Sequence, residues 1–196
     1  LLLLNQEKKS MIDYLSPLEQ KVLAQMNLAR TNPAACAANL EPRMRYYNGK
    51  LLQLPGQIPI ITQEGVRAVE EAIRFLRSAR SLPPFKVSRG MSMAARDHVK
   101  DQGPKGLTGH TGSDGSDPFS RMNRYGEWQG AAAENISYGD RTAEDIVMSL
   151  IIDDGVPTRG HRKNIFNPDY LVTGVAFGHH IKYGAMCAIT YAKAYR

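Results

Sequence analysis

Apolar residues recur along this chain at helical spacing in its first half and cluster in strand-like runs toward its end. From Ser16 to about Leu40, the positions Leu18, Val22, Leu23, Met26, Leu28 and Ala29 follow a helical repeat. Ser16-Pro17-Leu18-Glu19 reads as the start of that helix, with serine as the cap, proline at the first helical position and an acid in the first turn. Pro33 is expected to interrupt it or to open a second short helix, because proline pushes the residue before it out of the helical region. Residues 41–64 hold Pro42, Asn48-Gly49, Pro55-Gly56 and Pro59, which predicts an irregular connection with at most short strands. Gly65 to Ala79 predicts an amphipathic helix, with Val66, Val69, Ala72, Ile73 and Leu76 on one stripe and Arg67, Glu70, Glu71, Arg74 and Arg77 opposite. Ser88 caps a further helix over Gly90 to about Gln102.

Residues 103–118 contain five glycines and two prolines and predict a long loop, a feature that is more often functional than not. Beyond it, Ala131–Tyr138 predicts a strand, and Thr142 caps a helix through Asp153 that Gly155 stops. Tyr170–Gly178 and Tyr183–Ala192 predict an antiparallel hairpin across the turn Gly178-His179-His180-Ile181-Lys182. Helices first and strands late imply an α+β domain with helices covering an antiparallel sheet.

Length and composition narrow this picture. The chain has 196 residues, 42% hydrophobic and 22% charged, enough for one packed domain without a metal or disulfide. The net charge of +6 is spread without runs, so nucleic acid is an allowed partner but not an indicated one. No apolar stretch approaches the roughly 18 residues of a membrane span, so no transmembrane segment and a soluble protein are expected. Residues 1–15, opening with four leucines, read as an N-terminal arm or the end of a signal-peptide core. Cys36 and Cys187 either form one bridge or are two buried thiols.

Familiar local catalytic signatures are missing: there is no HExxH, GxSxG, phosphate-loop or GxGxxG pattern. The five histidines are the best remaining probes. His98 shares a helix face with Ala94, Ala95 and Val99 and lacks a ligand partner at i+4, which favours a buried, hydrogen-bonded role. His179 and His180 read as solvated turn residues. His110 sits among glycines that let the backbone close around it, and His161 follows a helix ending in Asp153 and Asp154. Glu134 lies in the apolar run Ala131–Ile136, where an acid is costly unless a positive or hydrogen-bonding group meets it. Ser113–Asp117 supplies two acids without the order of a calcium loop and reads as a plain glycine-rich turn. The sequon Asn135-Ile136-Ser137 falls in a segment expected to be buried.

Three stretches together resemble the CAP superfamily, the cysteine-rich secretory, antigen 5 and pathogenesis-related proteins, also called SCP-like extracellular proteins. Gly109-His110 with Asp114-Gly115, Pro118 and Arg121 is similar to the loop bearing that family's first histidine. Ala133-Glu134-Asn135-Ile136 followed by Gly139 resembles its "GENI…G" strand. Gly160-His161-Arg162-Lys163-Asn164-Ile165, with Asn167-Pro168-Asp169-Tyr170 and Gly174-Val175-Ala176, resembles the "GHR.NIL.P.Y..VGVG" segment of the bacterial branch. The scarcity of cysteines and the lack of the usual aromatic motif in the last strand point to the same branch.

The resemblance implies a CAP domain over residues 16–196, folded as a three-layer α-β-α sandwich around a central antiparallel sheet. It implies an extracellular or cell-envelope location and a cleft where His110, His161, Glu134 and a second acid converge, sometimes around Zn²⁺ or another divalent cation. The second acid follows a tryptophan position by three residues; Leu150 takes that position here, which selects Asp153, with Asp154 as competitor. Three functions follow as expectations. The first is a binding module for a lipid, sterol or peptide. The second is a metal-dependent hydrolase with Glu134 as general base, and the third an adhesion or signalling domain whose tetrad is structural.

Overall fold

A computed structural model describes residues 12–196; residues 1–11 of the expected N-terminal arm lie outside the described residues. The first helix, α1 (Pro17–Thr31), starts on a reciprocal cap in which Ser16 Oγ accepts from the Glu19 amide at 3.3 Å and Glu19 Oε2 accepts from the Ser16 amide at 2.7 Å. Asn32 ends α1 and caps the short α2 (Pro33–Leu40), so proline splits the apolar run as its chemistry requires. A 3₁₀ turn, Glu41–Tyr46, leads into a small antiparallel sheet of two-residue strands, β1 (Tyr47–Asn48), β2 (Leu51–Leu52) and β3 (Ile60–Ile61). Then come α3 (Val66–Ser78), β4 (Lys86–Val87) and α4 (Arg89–Lys105). After the glycine-rich loop follow α5 (Pro118–Met122), β5 (Trp128–Tyr138), α6 (Ala143–Ile152), α7 (Gly160–Ile165), β6 (Val172–Gly178) and β7 (Met186–Tyr195).

The main sheet has the order β4-β6-β7-β5. The expected hairpin forms, with β6 antiparallel to β7 from Val172↔Ala192 to Gly178↔Met186, and β5 adds antiparallel to β7. One edge departs from the expected antiparallel sheet: β4 runs parallel to β6, pairing Lys86 with Val172, so the sheet is mixed. Parallel pairing needs a crossover connection, and the chain from β4 to β6 supplies one by passing through α4, which packs on the sheet. Strand β5 is longer than the apolar run suggested, because Trp128 and Gln129 pair with β7 before an irregularity at Gly130, whose φ of 77° suits glycine.

Alternation along β7 makes the three layers. Cys187, Ile189 and Tyr191 point into the larger core with α1, α2, α3 and α6, whereas Met186, Ala188 and Ala192 face α4 and α5. The α4 layer sits very close to the sheet at Gly174, where an added Cβ would lie 2.2 Å from the Met91 carbonyl carbon and 2.3 Å from the Ser92 nitrogen. Cys36 and Cys187 are free, buried thiols of the larger core, and burial pushes the Cys36 pKa up to about 11. No helix among the described residues is long and apolar enough to cross a membrane.

Two buried charges tie the layers together. Glu19, besides capping α1, accepts from the Phe177 amide at 2.9 Å and pairs with Arg96 on α4. Arg30, fully buried, donates to the carbonyls of Pro83, Ile165, Asn167 and Tyr170 and lies 4.0 Å from the centre of the Phe85 ring. Four carbonyls in place of a carboxylate satisfy its donors, while desolvation lowers its pKa to about 10. Three of those carbonyls belong to the end of α7 and the segment joining it to β6, so Arg30 fixes the chain just after His161.

Candidate functional site

Strand β5 is an edge of the main sheet, with α4 and α5 against one of its faces and α6 and α7 against the other. Its neighbouring residues Glu134 and Asn135 therefore point into different layers. On the α4 side, Glu134 is held by Arg121 of α5 through Nη2, 3.1 Å from Oε1 and 2.9 Å from Oε2. Both side chains are almost wholly buried, which answers the charge problem that Glu134 poses in an apolar strand. Glu134 Oε1 also meets His110 Nδ1 at 2.9 Å. Both carboxylate oxygens are thus engaged. Three of the carboxylate's roughly four acceptor sites are taken, as in a group that orients a ring.

On the other side, Asp153 and His161 form the second pair, with Nδ1 2.6 Å from Oδ1. Asp153 Oδ2 also accepts from the His161 amide at 2.8 Å, so one carboxylate fixes both the ring and the backbone of the residue it serves. Asp154 is turned away and accepts from the amides of Gln63 and Glu64 at 2.6 and 2.8 Å. Asp153 holds a left-handed conformation (φ 57°), as does Arg159 (φ 52°), and these are the only two non-glycine residues with positive φ among those described. Strained positions of this kind persist when surrounding bonds over-determine them. Arg159 meets that condition, with ion pairs to Glu64 and Glu71 and hydrogen bonds to the carbonyls of Asp153 and Val156. The bidentate Arg159 pair and the Gly155 amide pull the Glu64 carboxyl down to about 2.

Several positioning residues escaped the sequence reading. Asn135, fully buried, donates to the His161 carbonyl at 3.0 Å and accepts from Asn164 at 2.8 Å, which ties α7 to the sheet edge. The loop bearing His110 is held by buried polar groups. His98 Nε2 is 2.9 Å from the Gly109 carbonyl, Gln102 donates to the Thr111 carbonyl, and the Gly109 amide donates to the Tyr138 hydroxyl. His98 thus has the buried, bonded role expected of it, and burial lowers its pKa. His180 corrects the expectation of a solvated turn residue. It is fully buried, its Nε2 donates to the Leu107 carbonyl at 2.8 Å, and its Nδ1 accepts from the amides of Lys182 and Tyr183. Adjacent residues pointing opposite ways allow one solvated and one buried histidine, and only packing decides which; His179 is the exposed one. His98 and Gln102, four apart on one helix face, were the readable signal for a buried polar stripe.

Each expected histidine thus carries a carboxylate on Nδ1. Among the described residues neither Nε2 has a protein hydrogen-bond partner, and the His110 and His161 side chains are 51% and 29% exposed. This is the donor pattern of histidine ligands oriented by outer carboxylates. Among the described residues no three histidine, cysteine, aspartate or glutamate side chains converge as a ligand set. A closed structural metal site, which takes four protein ligands, is therefore not found among the described residues. Beside His161 opens a cavity of about 290 Å³, whose walls include Leu52, Ile60, Leu150, Tyr138 and Asp140. Burial raises the Asp140 pKa, against the lowering effect of its bonds from Ser137 and Ser149.

The model of the cysteine-rich secretory protein family, CAP, matches residues 70–189. Protein YkwD of Bacillus subtilis strain 168, described as uncharacterized, is 30% identical over 111 residues, which are 57% of this chain and 41% of that protein. The chain therefore spans less than half the length of this curated relative. Among solved structures, an outer surface protein of Borrelia burgdorferi is 16% identical with a TM-score of 0.48, covering 65% of this chain and 89% of its own. An extracellular protein of Bacillus anthracis containing an SCP domain is 21% identical with a TM-score of 0.46, covering 64% of this chain and 38% of its own.

Proposed function

Because the chain belongs to the cysteine-rich secretory protein family, we propose that it acts as an extracellular or envelope binding module. In this reading the edge of β5 carries the ligand site, and Zn²⁺ or a similar divalent ion is shared by His110 and His161. The observation that carries it is the matched pair of histidines, each with Nδ1 engaged by a buried carboxylate and Nε2 free of protein partners among the described residues. Glu134 and Asp153 set ring orientation and keep the lone pair on Nε2, while Arg121 and the Asp153 backbone contacts hold the carboxylates still. A bound ion would supply an electrophilic point for a ligand carbonyl or carboxylate.

The adjoining cavity would take the apolar part of that ligand. At about 290 Å³ it lies at the small end of the roughly 300–1,000 Å³ common for ligand pockets. It suits a peptide side chain or a short stretch of acyl chain better than a whole sterol. The engagement of both Glu134 oxygens favours binding over metal-dependent hydrolysis with Glu134 as base.

Isothermal titration of the metal-free protein with Zn²⁺ tests the site. His110→Ala and His161→Ala should each weaken binding at least tenfold, because a single imidazole with waters is a poor site. Binding that is unchanged in either variant would refute an ion shared between the two rings.

A further inference from the structure

Between Glu41 and Glu64 the chain has 22 residues without an acid, residues 42–63, and these include Arg43, Arg45 and Lys50. They form the small β1-β2-β3 arm, whose tip carries Ile58, Ile60 and Ile61 at 88%, 55% and 79% exposure. Scattered exposed apolar residues are ordinary, but neighbours in a strand alternate, so Ile60 on the cavity side and Ile61 on the other face, with Ile58 before them, make the thin tip apolar on both faces, and such surfaces mark interaction sites. The arm does not need them for its own packing. Leu52 and Thr62 supply its buried side, the Lys50 carbonyl accepts from both the amide and the hydroxyl of Thr62, and the strand pairs are Leu51↔Ile61 and Leu52↔Ile60.

The surroundings select the kind of partner. Lys50, whose carbonyl is bonded by Thr62 next to Ile61, is exposed, and Arg45 is exposed where the 3₁₀ turn enters the arm. Of the acids that approach the arm, Asp145 is paired with Arg43 at 2.7 Å, Asp154 accepts from the amides of Gln63 and Glu64, Asp140 is bonded by Ser137 and Asp153 by His161. The arm therefore presents an apolar tip and two exposed cations, Arg45 and Lys50, that no carboxylate pairs among the described residues. A second copy or a peptide adding to β3 would find a strand of two residues preceded by Pro59, which has no amide to offer.

We propose that the arm docks the protein on an anionic lipid bilayer. Ile58, Ile60 and Ile61 enter the boundary between headgroups and acyl chains, and Arg45 and Lys50 meet lipid phosphates. The arm lies outside the residues matched to the family, so family membership does not supply this property. Vesicle binding is read without metal, so its failure is distinguishable from failure of the metal reading, although arm residues line the cavity that His161 and Asp153 share. Ile60 belongs to the wall of the cavity beside His161, so docking would bring that cavity to the lipid surface.

Flotation with vesicles tests it. The protein should float with equimolar phosphatidylcholine and phosphatidylglycerol, and much less with phosphatidylcholine alone. Ile58→Ser/Ile61→Ser should lower the partition coefficient at least fivefold while leaving the circular-dichroism melting curve unchanged, because both side chains already face solvent. Arg45→Glu/Lys50→Glu should remove the preference for anionic vesicles. Absence of flotation with anionic vesicles, or equal flotation of the isoleucine variant, would overturn the proposal. So would sedimentation showing a dimer that the isoleucine variant abolishes without any vesicle binding, since the occupant would then be a second copy.

Discussion

Replacing Arg121 with methionine removes the guanidinium that meets Glu134 and keeps much of the side-chain volume. The two side chains are 2% and 1% exposed, so nothing in solvent can take over the carboxylate's lost bonds. The variant also loses the bond from Arg121 Nη1 to the Ser116 carbonyl at 2.8 Å. Breaking one side of a buried ion pair costs about 3–5 kcal/mol, because the surviving charge stays buried without compensation. A protein of this size shifts by about 2–4 °C per kcal/mol, so the melting temperature should fall by about 6–20 °C. Urea unfolding at neutral pH is the direct assay, with Glu134→Gln and the double variant completing a cycle. Arg121→Met/Glu134→Gln removes both charges and should recover about 2 kcal/mol of the loss. A loss below about 1 kcal/mol for Arg121→Met, or a double variant no better than the sum of the singles, would refute the view that this pair anchors the His110 side of the site.

Gly174→Ala should destabilise the protein by about 1–3 kcal/mol or more, since the new methyl would overlap α4 backbone that cannot rotate away; a melting temperature within about 1–2 °C of the parent, on the order of experimental scatter, would show that α4 can lift at little cost. Glu64 offers a pH test. Its folded pKa of about 2 lies below the ordinary 4.5, so its contribution to stability is complete above about 4.5 and is lost as pH falls from there toward 2. Glu64→Gln should flatten that part of the acid limb in melting curves taken across the range, and an unchanged limb would mean that the Arg159 pair contributes nothing to the fold.

Local chemistry made much of the fold legible. The capping box at Ser16, the break at Pro33, the amphipathic stripe of α3 and the caps at Ser88 and Thr142 all act within a few residues, so their signals are contained in the order of the chain. The β6–β7 hairpin was readable for the same reason. The parallel edge strand β4 was not, because two residues carry no periodicity and their pairing depends on where α4 places the chain. The glycine-rich stretch forms the expected loop, but helix α4 runs on through Pro104 to Lys105 and α5 begins at Pro118. Pro118 takes the first helical position, where proline is tolerated, whereas Pro104 lies inside the last turn of α4, where it removes an amide, and the helix ends one residue later.

The candidate site divides along the same line. By itself the sequence determined which chemistries were on offer: histidines in a glycine-rich loop and after a pair of acids, and an acid inside an apolar strand that demanded a counter-charge. Tertiary structure decided the pairings. It set Arg121 against Glu134, chose Asp153 rather than Asp154 for His161, left Cys36 and Cys187 apart as buried thiols, and buried His180 while exposing His179. The physical reason is range. Caps and periodicity are fixed by bonds between near neighbours, whereas a buried charge is satisfied by whichever distant group the packing of layers brings within about 3 Å, and that proximity exists only once the sheet edge and its two helical layers have closed around it.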